Sequence, residues 1–394
     1  MVEYDPFLPQ VIEDPHPVYA KLREEDPCCF IPKYDTYFLS RFEDIWNASM
    51  DEKSFSTESG STFAQLVKKI QPVTPMINNM DPPRHTHMRS KIVPYFTPGG
   101  VRKLEPQIAK FVADAFAEVK DRKEADLFND FAAKVSVKVA CLANGFPMED
   151  SDMLNALVWR FFGREEGVEG MTQDGVNAMM EMFTYFGELI ARRRAAGADG
   201  ETVVDLVCRY RDEQGKDLDV ESASSHLSMF LIGGAETFPK TFASAVLRFW
   251  EHEDQRAAMV KDPALIPEAY REALRYDMPT QFLMRKVIQP VTYHDKTMQP
   301  GQNLAFLYPS ANRDPREFDE PDRFDIRRAA PRILSFGHGT HLCIGQHFAR
   351  MEAKLCIKTL LDWAPEYEVK ADQLVRLKTE FVQGWESMPV AFGR

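Results

Sequence analysis

The chain of 394 residues is 44% hydrophobic and carries 48 Lys and Arg against 60 Asp and Glu, a formal net charge of −12. That apolar content supports a substantial core, in one large domain or in two to three average ones. The acidic balance argues against general binding to nucleic acid or to an anionic membrane, since either needs a basic surface. No apolar run approaches the roughly 18 residues of a membrane span. The opening Met1-Val2-Glu3-Tyr4-Asp5-Pro6 has no basic stretch followed by an apolar one, so a cytoplasmic protein without membrane contact is expected. The six cysteines are Cys28, Cys29, Cys141, Cys208, Cys343 and Cys356; they form no C-x-x-C pair and no disulfide framework.

In chain order, the N-terminal part is rich in proline and short extended signals. A short helix is predicted over 18–25, and 28–31 with 36–40 reads as a small hairpin. Residues 54–80 lack periodicity and read as a long loop with apolar points at Phe63, Leu66, Val67 and Ile70. Helical patterns dominate from Arg84 to near Ala364, with a strand-like interruption near 287–307 and the longest helix candidate over 220–250. The tail from Tyr367 to Phe392 returns to short strands. The expectation is a mainly α chain with a minor β part in one large domain. Its parts are β-rich over 1–80, helical over 81–364 and a β-hairpin region over 365–394.

Chemistry concentrates in Phe336-Gly337-His338-Gly339-Thr340-His341-Leu342-Cys343-Ile344-Gly345, one cysteine in a glycine-rich loop directly before a helical pattern. A thiolate there is stabilised by the helix dipole and by unpaired backbone N–H groups. The glycines let amides approach the sulfur, which suits a buried anionic metal ligand better than a reactive surface thiol. Inside the longest helix lies Gly233-Gly234-Ala235-Glu236-Thr237. Two mid-helix glycines cost roughly 1 kcal/mol each relative to alanine, so something should compensate. Pro239 removes the bond to the Ala235 carbonyl, which predicts a kink at this point. Glu272 and Arg275, at i and i+3, share a helix face. His85 and Arg89 share one too, whereas His85 and His87 face different ways and form no chelate.

The cysteine loop fits F-G-x-G-x-H-x-C-x-G at every defined position and resembles the heme loop of the cytochrome P-450 family, soluble bacterial class. The resemblance implies that fold, a heme b cofactor, and Cys343 as the axial iron ligand whose thiolate favours O–O cleavage. Phe336 would shield the sulfur, and Gly337 and Gly345 belong to the same loop. The family widens its long helix over the heme to seat dioxygen, and Glu236 and Thr237 match its proton-relaying acid–alcohol pair. Phe238 departs from the pattern, standing where many members carry a second threonine or a small aliphatic residue. Asp81 to Arg89 resembles D-P-P-x-H-T-x-x-R, so His85 and Arg89 would hold a heme propionate, with Arg285 and His341 as further partners. Glu272, Arg275 and Arg323, the last within Pro321-Asp322-Arg323-Phe324, match the family's structural triad, which serves folding and heme retention.

The implied activity is a monooxygenase that inserts one atom of O2 into a small to medium apolar molecule, by hydroxylation or oxidative dealkylation. No G-x-G-x-x-G occurs, so no flavin or nicotinamide domain is fused. Electrons would come from NAD(P)H through a ferredoxin reductase and a ferredoxin. The docking face would gather Arg84, Lys91, Arg327, Arg328, Arg332, Arg350 and Lys354, and the protein would act as a monomer. By family position Met229, Ile232 and Gly233 face the substrate cavity, joined by Gln281, Leu283, Phe381 and Val382, with Phe63, Leu66 and Phe161 from mobile regions. A mostly apolar set suits a hydrophobic small molecule. The rival readings are a peroxide-driven or oxidative-coupling enzyme and a non-catalytic heme sensor; the acid–alcohol pair favours the O2-using enzyme.

Overall fold

The computed structural model describes residues 2–69, 76–165, 168 and 170–392. The expected hairpin forms from Cys28–Ile31 and Thr36–Leu39, with Cys28 opposite Leu39. It is one edge of a five-stranded sheet that continues through Asn303–Leu307 and Phe282–Val287 to Phe55–Ser56. Thr36–Leu39 runs parallel to Asn303–Leu307, and both are buried at every position. Runs such as Tyr37-Phe38-Leu39 and Leu304-Ala305-Phe306-Leu307 are what strands covered on both faces require. The sheet thereby ties the N-terminal part to the segment that leads into the cysteine loop.

The β region is wider than the sequence pattern indicates. It opens at Phe282 and includes a separate hairpin, Val291–Tyr293 with Lys296–Met298, whose three-residue strands are too short to show alternation. The 54–80 segment also carries structure: a short helix, Phe63–Leu66, capped by the Thr62 side chain, and a turn of helix at Ile77–Asn79. Ile70 lies outside the described residues. The tail forms the expected short strands, with Pro389–Ala391 between Glu124–Asp126 and Glu368–Val369.

The helices bury one continuous core that includes Phe131, Phe186, Phe242, Phe249 and Ile357. Several start on side-chain caps that satisfy otherwise unpaired N–H groups, among them Thr172, Thr202 with Asp205, and Asp219. The 220–250 candidate is two helices, Val220–Ala235 and Thr237–Glu251, separated at Glu236. The chain is interrupted there, beyond the kink that proline alone predicts. Pro239 is the third residue of the second helix, where an N–H would have no intrahelical partner, so proline is tolerated. Two freed carbonyls find side-chain donors: Ser136 Oγ donates to the Gly234 carbonyl at 2.8 Å and Thr237 Oγ1 to the Gly233 carbonyl at 3.3 Å. Gly234 is needed for packing as well, because a Cβ there would sit 2.9 Å from that of Ala140.

Candidate active site at the cysteine loop

The loop runs from Leu334 to Gly345, where helix Gln346–Trp363 begins. Gly337 and Gly339 take left-handed backbone, with φ +69° and +74°. A Cβ on Gly339 would lie 2.4 Å from the Ser49 carbonyl oxygen, so glycine is required there twice over. The Cys343 N–H donates to the Phe336 carbonyl at 2.8 Å and closes the loop. Cys343 Sγ accepts from the backbone N–H groups of Gly345 and Gln346. Burial pushes the Cys343 thiol up, while those amides and the Arg89 and Arg350 guanidinium groups pull it down. Its side chain is nevertheless open on one side, so the sulfur forms the floor of a recess walled by protein. Phe336 lies beside it beneath the Arg350 guanidinium, 5.2 Å from the ring centre.

Four nitrogen side chains converge on this recess from three parts of the chain. His85 and Arg89 come from helix Arg84–Phe96, Arg285 from strand Phe282–Val287 and His341 from the loop itself. The His85 and His341 rings are 4.4 Å apart, and Arg89 donates to the carbonyl of Leu342, beside the cysteine. His85 is buried, and among the described residues neither ring nitrogen has a hydrogen-bond partner. Arg285 is buried too; it donates to its neighbour Met284's carbonyl at 2.8 Å and lies over the Phe306 ring. Desolvation, with the nearby guanidinium groups, pushes His85 down to about 4 and His341 down to about 2. Among the described residues neither Arg89 nor Arg285 forms an ion pair. Such a cluster is unfavourable alone and is completed by an anionic ligand.

Above the recess the helix break exposes Gly233 and leaves Thr237 half-buried. Glu236 is buried and ion-paired with Lys240, one helical turn on; their side chains are 4% and 7% exposed. Lys240 was absent from the sequence-derived site, although the E-x-x-x-K spacing, one turn of helix, is a signal that could have found it.

Comparison with known proteins settles the family. The family model for cytochrome P-450 matches residues 253–384. A putative cytochrome P-450 (number 123) of Mycobacterium tuberculosis is 32% identical, over 98% of this chain and 96% of its own length. The vitamin D(3) 25-hydroxylase of Pseudonocardia autotrophica is 33% identical, over 99% of this chain and 97% of that protein. The crystal structure of CalO2 superposes with a TM-score of 0.88 at 27% identity, covering 100% of this chain and 99% of the other. The chain belongs to the cytochrome P-450 family.

It is therefore a monooxygenase with heme b as cofactor. The cradle fits that group: a heme carries two anionic propionates, the ring nitrogens of His85 have no partner among the described residues, and the Arg89 and Arg285 guanidinium groups donate to backbone carbonyls without pairing with a carboxylate there. Cys343 is the cysteine open to the recess, the other five being buried. No helix among the described residues is long and apolar enough to cross a membrane.

The triad is corrected at one position. Arg275 grips Glu272 with Nε to Oε2 at 2.7 Å and Nη2 to Oε1 at 2.8 Å, but the second guanidinium on that carboxylate is Arg328, at 3.1 Å. Arg323 is exposed and pairs with Glu320 and Asp325. It contributes only its carbonyl, which accepts from Arg328 at 2.6 Å. The cause is local: the Asp325 N–H donates to Glu272 at 3.0 Å, and the chain turns there, folding Arg328 back onto the carboxylate.

The pocket set also divides. Met229, Ile232, Leu283 and Phe381 are half-buried, and Met229 reaches within 3.6 Å of where a Gly233 Cβ would stand. Gln281 and Val382 are buried in the body of the protein instead. Gln281 accepts from the Tyr19 hydroxyl at 3.0 Å and donates to Gln383, and the Val382 N–H donates to Thr379. Phe63 and Leu66 belong to the core beneath the sheet, and Phe161 packs on Phe162. On the cysteine side, Arg84, Arg328, Arg332 and Lys354 are each paired with carboxylates of this chain. Lys91, Arg327 and Arg350 are exposed.

Proposed function

We propose that the Cys343 thiolate would hold the heme iron, that His85, Arg89, Arg285 and His341 would hold its propionates, and that Glu236 and Thr237 bring protons to a groove at Gly233 and Gly234. The observation that carries this reading is the convergence of unpaired cationic and imidazole groups beside a single open cysteine. When bound, heme b supplies the activation of dioxygen from which one atom enters the substrate. The rest falls to the chain. The Gly345 and Gln346 amides favour the sulfur as thiolate, and Arg89 adds positive charge nearby. The Thr237 hydroxyl, held on the Gly233 carbonyl, is positioned to pass a proton at Oγ1.

The substrate is a small to medium apolar molecule, lying against Met229, Ile232, Gly233, Leu283 and Phe381, none of which carries a charge. A relative named for vitamin D(3) hydroxylation is in keeping with that class. Electrons arrive from a ferredoxin, attracted by the exposed Lys91, Arg327 and Arg350 on the cysteine side. The test is a spin-state screen of the heme-loaded ferric protein. Neutral molecules, vitamin D(3) and testosterone first, are expected to shift the heme from low to high spin. A shift confined to carboxylates or other charged molecules would count against the apolar pocket.

A further inference from the structure

A cavity of about 50 Å³ lies against the helix break, lined by Phe128, Trp159, Phe162, Glu236, Lys240 and Glu386 among others. It is distinct from the cysteine recess, and it holds both members of the buried ion pair together with a carboxylate from strand Trp385–Ser387. A water needs roughly 10–15 Å³ of such space and two to four polar partners. The cavity has room for more than one, and the three charged side chains are its polar partners.

Lys240 is held in place on several sides. Its ammonium donates to Glu236 Oε1 and lies 5.9 Å and 5.6 Å from the ring centres of Phe128 and Phe162. Its stem lies against Gly384, where a Cβ would come within 3.3 Å of the lysine's own. One ammonium makes three donations, and Glu236 takes only part of them. Glu386 is exposed at the outer side, and its strand is pinned by Asn129 donating to the Glu386 carbonyl at 2.9 Å. Burial raises the Glu386 carboxyl above its ordinary range and Lys240 opposes that rise, which couples the two groups.

A carboxylate paired with an ammonium has no proton to give until one reaches it. We propose that this cavity is the proton inlet of the enzyme: Glu386 takes a proton from solvent, cavity water carries it to the Glu236 carboxylate, and Lys240 positions that carboxylate and keeps it ionised between deliveries. The proton moves from the Glu386 carboxyl to water and from water to Glu236 Oε, and Glu386 is recharged from bulk; no electron is transferred. Glu386 is thereby the entry acid and Lys240 a positioning residue. The proposal rests on the assignment of Glu236 and Thr237 as the relay.

Two measurements test it on the heme-loaded protein. In infrared spectra at neutral pH, Lys240→Met is expected to show a new carboxylic-acid band that disappears in Lys240→Met/Glu236→Gln and shifts promptly in D2O. No new band would mean that Lys240 does not keep Glu236 ionised, and a band that fails to shift would mean a sealed, dry cavity; either overturns the proposal. The second measurement uses dioxygen alone, reduced with electrons from a ferredoxin and its reductase, and reads the ratio of hydrogen peroxide to water formed. Glu386→Gln is expected to raise that ratio about tenfold, less than the 10²–10⁴ of a directly transferring group because water gives partial bypass. If Thr237→Ala raises the ratio and Glu386→Gln leaves it unchanged, the inlet is refuted while the relay stands. If neither variant moves it, the relay assignment falls and the inlet with it.

Discussion

Two buried carboxylates in this protein stand three or four residues before a basic partner, and they are built differently. Glu272 receives two bonds from Arg275, one from Arg328 and one from the Asp325 N–H, so both oxygens are occupied and the group is locked. Glu236 receives the ammonium of Lys240 and faces a cavity that reaches Glu386. Desolvating an ion pair is tolerable only when geometry and added hydrogen bonds restore what water gave. The Glu272 network meets that condition with protein alone. The Glu236 pair has the single ammonium and a cavity with room for water. A fully satisfied carboxylate is a structural part, whereas one left dependent on water can exchange protons with it.

The comparison is sharpened first by Arg275→Ala, which leaves Glu272 buried without its main partner. It should cost about 3–5 kcal/mol and lower heme retention, read from the denaturant midpoint and the heme-to-protein ratio. Arg328→Ala removes one charged hydrogen bond from the same oxygen and should cost about 1.5–3 kcal/mol. Lys240→Met should cost about 1–3 kcal/mol, with much of the loss recovered in Lys240→Met/Glu236→Gln. Should Lys240→Met prove as damaging as Arg275→Ala, Glu236 has no water to fall back on and the contrast fails. Arg323→Ala is expected to stay within about 0.5 kcal/mol, as an exposed substitution does. A cost near that of Arg328→Ala would restore Arg323 to the triad.

The cysteine loop was legible in the sequence because its requirements are local: Gly337 and Gly339 take backbone that other residues avoid, and the cysteine stands two residues before a glycine that starts a helix. The division of the long helix was half legible. Two glycines and Pro239 mark the place, but whether the chain bends or separates depends on Ser136 reaching the Gly234 carbonyl from another helix. Arg328 was hidden for a similar reason. The spacing of Pro321-Asp322-Arg323-Phe324 points to Arg323, and only the turn at Asp325 decides which arginine folds inward. Gln281 shows the limit of position alone, since its side chain is bonded to Tyr19 and Gln383 in the interior, and Val382 is buried there with it. The Phe282–Val287 strand escaped full definition because its partners are distant in sequence.

The central claim is that Cys343 binds heme iron as a thiolate in the recess between the loop and the divided helix. It is tested most directly by the carbon monoxide difference spectrum of the dithionite-reduced, freshly purified protein, beside that of Cys343→His. A strongly red-shifted Soret band in the first and its loss in the second is the predicted result. A spectrum like that of histidine-ligated heme in the folded, unsubstituted protein would contradict the account.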